Sequence, residues 1–183
     1  MVDADDDRRP NSPWLELLAD ADAIADEYRE AGLTVEVVEA RDVVPWTGSV
    51  ETDSAETDSA ETDFAETDSK EDDRRGGFAV LVDEEGFDRL EPLVAEHRFG
   101  AAEVYRRSVA DVTLVVAVEI DEPSRRAIVV PMYHRAGEAE AALTAAHESG
   151  ELHVRVRPDG DDWLTFVHEE PALFGEPWST RET

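Results

Sequence analysis

The sequence predicts a single α+β domain, with three helices over a mostly antiparallel or mixed sheet of about six to seven strands. Three observations carry this. Apolar runs such as LVVAV at 114–118 and AIVV at 127–130 are core strands. Turn-rich segments, DEPSRR at 121–126 and PDGDD at 158–162, join neighbouring strands into hairpins. Helical apolar spacing appears three times, near 12–31, 84–98 and 136–148, between those strands.

Each element has a local cause. The first helix starts at Ser12-Pro13, a capping residue followed by a proline suited to the first turn. Leu18, Ala21, Ala25 and Tyr28 recur on one face, flanked by Trp14, Leu17 and Ile24, and Gly32 stops the helix. LTVEVVEA at 33–40 alternates and reads as a strand, as does GFAVLVD at 77–83. Phe87, Leu90 and Val94 mark the second helix, where Pro92 removes a backbone bond and predicts a kink or a split. Strands follow at 102–109, 111–120 and 126–133. An alanine-rich helix ends before Gly150, and a closing hairpin pairs 152–157 with 163–168. The tail packs back through Leu173, Phe174 and Trp178.

Residues 51–70 are four copies of a pentapeptide, ETDSA, ETDSA, ETDFA and ETDSK. Five residues turn a helix by about 500°, so successive copies share no face. Apart from alanine and Phe64 there is nothing to bury, and ordering each residue costs about 1–2 kcal/mol. The segment 47–75 is therefore expected to be a disordered acidic insert between 1–46 and 76–183, which belong to one domain.

The chain carries 46 Asp and Glu against 17 Lys and Arg, a net charge of −29, and its one lysine is Lys70. The acids are spread through nearly every element, as suits a protein of a salt-saturated cytoplasm. Such a surface lacks the basic footprint that nucleic acid requires. With no cysteine there is no disulfide or thiolate chemistry, and no apolar run reaches the ~20 residues of a membrane span. A cytoplasmic protein without membrane contact is expected, and no cofactor or metal site is indicated.

One region breaks the acidic rule. Residues 98–157 hold nine acids and eight arginines, net −1. On 152–157, Leu152, Val154 and Val156 share one face while His153, Arg155 and Arg157 share the other. Arg107 shares a face with Tyr105. If these strands are neighbours, Tyr105, Arg107, Tyr133, Arg155 and Arg157 form a patch that receives a small anion or an acidic partner; otherwise the arginines pair with cross-strand acids. In PMYHR at 131–135, Tyr133, His134 and Arg135 lie at a strand-to-helix junction, where helix N-termini favour anions. His147 and His153 flank the Gly150 turn, and His168 ends a strand beside Glu169 and Glu170. No nucleophile elbow, phosphate-binding loop or dinucleotide fingerprint occurs.

The segments WLELLADADAIADEYREAGLTVEVVEARDVVP, FDRLEPLVAEH and FVHEEPALF resemble a small family of haloarchaeal domains of unknown function. The resemblance spans nearly the whole chain outside 47–75, with Pro92 and the pentapeptide insert atypical. It implies a haloarchaeal cytoplasmic domain and adds no activity. The function expected is a non-enzymatic binding or accessory module using the Arg/Tyr-rich sheet region. The alternative is a small hydrolase or transferase acting on an anionic metabolite, with Tyr133, His134 or His168 in its site.

At molar salt the Debye length is about 3 Å, so self-repulsion is screened that in dilute buffer opposes the compact state. The unfolding midpoint is expected to rise between about 0.1 M and about 3 M KCl; equal stability at both would overturn adaptation to salt.

Overall fold

A computed structural model describes residues 11–48, 75–160 and 162–175. The helices are α1 (Asn11–Glu30), α2 (Glu84–Glu96) and α3 (Ala136–Ser149). The strands are β1 (Thr34–Val37), β2 (Asp42–Thr47), β3 (Gly76–Leu81), β4 (Ala101–Val109), β5 (Val112–Asp121), β6 (Arg126–Arg135), β7 (Leu152–Arg157) and β8 (Leu164–His168). A short 3₁₀ turn, Pro171–Leu173, follows β8. The α+β class and the three helices are as expected. Among the described residues the strands, however, number eight and form two four-stranded mixed sheets.

Sheet A has the order β1-β6-β5-β4, with β1 parallel to β6 and the other pairs antiparallel. Sheet B has the order β2-β3-β7-β8, with β3 parallel to β7. The expectation of one sheet fails for a reason visible in β5 and β6. Nearly every residue of both strands is buried, so each face of sheet A needs a cover. One cover is α1, whose Trp14 meets Tyr133 edge-on with ring centroids 5.3 Å apart. The other is sheet B, where Phe78 of β3 stacks on His134 at 5.1 Å.

On α1 the buried line is Trp14, Leu17, Ala21 and Ala25, while Leu18 and Tyr28 are only partly buried. Gly32 at φ 93° and Gly150 at φ 80° occupy the left-handed region after α1 and α3. Helix α2 begins at Asp83, whose carboxylate accepts from the Gly86 N–H at 2.7 Å. It runs unbroken through Pro92, so the expected split is absent. Pro92 and Asp88 are both exposed, and water can serve the Asp88 carbonyl that a proline cannot. Strand β2 was hidden from the sequence by Pro45, yet β2 is an edge strand, where a missing N–H is tolerated.

The insert expected at 47–75 lies outside the described residues except at its ends. There Thr47 pairs with Gly76, and the Gly48 N–H donates to the Arg75 carbonyl at 2.9 Å. The side chain of Ser12 and all of Trp178 also lie outside them. Of the tail, Phe174 is fully buried whereas Leu173 is exposed. The backbone carbonyls here are gripped by side chains: Arg106 donates to Ala172 O at 2.8 Å, and His134 and His147 meet Phe174 O and Gly175 O at 2.9 and 3.1 Å. Among the described residues no helix is long and apolar enough to cross a membrane.

Helix α3 lies hard against β3. A Cβ on Gly76 would stand 2.0 Å from the Ala142 carbonyl oxygen and 3.0 Å from the Ala145 methyl. Ala139, Ala142 and Ala146 are buried on the same helix, so small residues on both partners permit the approach. Gly76→Ala is expected to cost about 1–3 kcal/mol through overpacking, measured by thermal unfolding at fixed salt. Gly137→Ala, where a Cβ meets nothing within 4 Å, should leave the midpoint unchanged or raise it.

Candidate functional site

The arginine and tyrosine side chains singled out from the sequence go to separate places. Tyr105 and Arg107 lie on β4 and face α1. Tyr28 and Tyr105 both donate to the Glu103 carboxylate, the latter at 3.0 Å. Burial and the Glu103 carboxylate together raise the Tyr28 hydroxyl above its ordinary pKa. Arg107 reaches Asp20 at 2.9 Å and Glu16 at 3.5 Å. These residues border an apolar groove of about 280 Å³ floored by Leu17, Ile24, Leu114 and Val116. Here the acids of α1 take up the arginine's charge.

Tyr133 and His134 are sequence neighbours on a strand, so they point to opposite faces of sheet A. The Tyr133 hydroxyl donates to Asp42 at 3.1 Å on the α1 side. His134 enters the space between the sheets. Arg135 occupies the N-cap position of α3 without a side-chain capping bond and pairs with Asp111 at 3.3 Å. A cleft of about 390 Å³ runs between this junction and residues 42–45.

Arg155 and Arg157 belong to sheet B, and their face points away from sheet A. The register places Trp46, Gly77, His153 and Val167 in one row across this outer face, and Val44, Ala79, Arg155 and Thr165 in the next. Gly77 and Ala79 on β3 raise almost nothing above the sheet. Side chains from the flanking strands close over them: the Arg155 guanidinium carbon lies 3.7 Å from the Trp46 ring centroid and 5.3 Å from that of Trp163. His153 meets Trp46 edge-on at 6.2 Å. Val44, Trp163 and Val167 remain 43%, 41% and 51% exposed on the same face. Arg157 is exposed and makes no ion pair among the described residues.

His168 ends β8 on the inner face. Its Nε2 lies 2.8 Å from Glu119 Oε1 of β5, and both residues are buried. A cleft of about 490 Å³ opens over this pair. Among the described residues no group of three or more His, Cys, Asp or Glu is placed to hold a metal ion.

The structure thus joins Arg155 to Arg157, and Tyr105 to Arg107, but brings neither pair to Tyr133. Three residues were missed. Trp46 and Trp163 could have been found from their shared parity with Val44 and Thr165, had β2 been recognised. Glu119 carried its own signal, an acid directly after the apolar run LVVAV of the same strand.

With the fold and these sites in hand, comparison with known proteins decides one point. The model of a family of unknown function (DUF7529) matches residues 2–59 and 50–176. The chain belongs to that family. No curated protein and no solved structure matches it. Membership in DUF7529 identifies an uncharacterised domain family and brings no residue roles.

Two histidines of this DUF7529 chain carry a pH signature. Burial holds the His134 imidazole below its ordinary pKa, against the pull of Phe174 O, and its Nδ1 is buried without a hydrogen-bond partner. Burial also holds His153 down, with Arg75 adding to the effect. Both are charged more readily in the unfolded chain, below about 6.5. Their stabilisation is therefore complete above that value and is lost as pH falls from it toward the lower folded-state pKa values. Chemical denaturation at fixed KCl should show stability falling below about pH 6.5, each histidine adding at most ~1.4 kcal/mol per pH unit. The fall should be shallower in His134→Gln, and parallel curves for the two proteins would exclude His134 as a source.

Proposed function

We propose that this chain is a non-enzymatic binding module of a salt-rich cytoplasm, and that it docks an acidic protein partner on the outer face of sheet B. The observation that carries this is the Arg155 guanidinium lying over Trp46 and Trp163 beside exposed Val44 and Val167. Aromatic and arginine side chains are the anchors that dominate protein interfaces. Stacking on indole orders the guanidinium plane and holds it at the surface of this face. Arg157 on the same strand adds a second cation, and the region 98–157 is nearly neutral where the rest of the chain is strongly acidic. An acidic partner is repelled least there.

The alternative, a small enzyme acting on an anionic metabolite, has less support. It calls for arginine and histidine in one concavity; the cleft over His168 has no arginine in its lining, and in the cleft that His134 and Arg135 share, Arg135 pairs with Asp111 and His134 meets Phe174 O.

The absence of cysteine makes the test clean, because Thr165→Cys places a single thiol in the Arg155 row. A photo-crosslinker on that thiol is expected to capture a discrete partner at high salt. Capture should drop at least about tenfold with Arg155→Ala, and an excess of hexaglutamate, but not hexalysine, should compete. Yields that ignore both Arg155 and the acidic competitor would refute docking through this face.

A further inference from the structure

Among the described residues the two sheets end on β1 and β4 in sheet A and on β2 and β8 in sheet B. An edge strand leaves backbone N–H and C=O groups unpaired, and proteins blunt such edges with short strands, prolines or bulges. Three of these strands follow that rule: β1 has four residues, β8 has five, and β2 carries Pro45. Strand β4 does not. It runs for nine residues without a proline and pairs with β5 one for one, with no bulge. All of it except Val104 and Val109 is exposed.

The hairpin sets which backbone groups face outward. Val109 and Val112 flank a two-residue turn and form a hydrogen-bonded pair, so alternate residues of β4 spend their backbone groups on β5. Ala102, Val104, Arg106 and Ser108 then point theirs away from the sheet. A second β4 laid antiparallel must match these residues to one another, which allows few registers. With Arg106 at the centre, Arg106 would face its own copy. With Val104 at the centre, only seven residues overlap. With Tyr105 at the centre all nine pair, and Glu103 faces Arg107 twice. The side chains are ready for this. Tyr28 and Tyr105 both use Oε2 of Glu103, and Asp20 and Glu16 both use Nη2 of Arg107, so Oε1 on one residue and Nη1 on the other are left for a partner. The strand carries two arginines and one acid in a chain of net charge −29, so two copies repel less here than elsewhere.

We propose that the partner of this edge is a second copy of the chain, joined β4 to β4 about a two-fold axis at Tyr105, so that sheet A becomes one eight-stranded sheet. The outward backbone groups of both copies are satisfied by the new ladder, and the crossed Glu103–Arg107 pairs fix its register. The apolar groove beside Tyr105 and Arg107, floored by Leu17, Ile24, Leu114 and Val116, opens toward the same axis. Tyr105, 40% exposed in one copy, is covered there by its counterpart. The Arg155 face on sheet B takes no part.

Sedimentation of the full chain in about 3 M KCl tests this first, with a mass twice that of one chain expected, falling to one on dilution. The chain has no cysteine, so single thiols report the register. Residue 105 faces its own copy in a non-hydrogen-bonded pair, with Cα atoms about 4.5 Å apart, and Tyr105→Cys is expected to oxidise to a linked dimer. Ser108→Cys, whose copy lies about 20 Å along the strand, should not. Glu103→Arg and Arg107→Glu should each weaken self-association at least about tenfold, while an equal mixture of the two associates at least about tenfold more tightly than either alone. A role of these residues within one chain would not produce that rescue. Should a charge variant fail to fold, the two cysteine variants decide. A monomer at every concentration, as when another segment of the chain fills the edge, would overturn the proposal. So would linkage at 108 as ready as at 105, or a mixture of folded variants that associates no better than its parts.

Discussion

Strands β5 and β6 must be kept dry on both faces, and the rest of the fold is arranged to do that. Of the twenty residues in these two strands, only Thr113, Ile120, Arg126 and Arg135 are not fully buried. A single layer of helices would leave one of those faces in water. Burying apolar surface stabilises by about 25 cal/mol per Å², so an exposed second face would forfeit much of the core. Helix α1 takes one side and sheet B the other. The parallel pairs β1–β6 and β3–β7 follow from this, since strands laid down far apart in sequence must be brought together around one centre.

How legible this was depends on whether the signal was local. The hairpin β5–β6 was readable because its turn, DEPSRR, is polar and sits between two apolar runs; in the structure Arg125 adopts φ 55° there, and Ser124 bonds Asp121. The ends of α1 and α3 were readable from glycine. The existence of a second sheet was not, because nothing local reports which partner a strand chooses. The complete burial of LVVAV and AIVV held the clue. Runs without alternation indicate strands covered on both faces, which one sheet with helices on a single face cannot provide.

The sites divide along the same line. Strand alternation placed Arg155 and Arg157 together correctly, since it needs only the chain's own period. It could not say that Tyr105 and Arg107 belong to a different sheet, where Asp20 and Glu16 of α1 meet the arginine. Nor could the excess of acids flag Glu119. A carboxylate becomes informative when it is buried, and burial is a property of the assembled sheets. Trp46 was obscured by Pro45 and Trp163 by the turn before β8, yet these indoles give the Arg155 face its character.

The rung formed by Gly48 and Arg75 has a consequence of another kind. The two strands that bracket residues 49–74 are already held one hydrogen bond apart by the sheet itself. Closing a chain between fixed ends costs entropy that grows only with the logarithm of its length, about 0.6 kcal/mol per doubling. Pentapeptide copies can therefore be gained or lost in whole units while β2 and β3 keep their register. On that arithmetic a change in copy number would leave the pairing of β2 and β3 where the sheet already holds it.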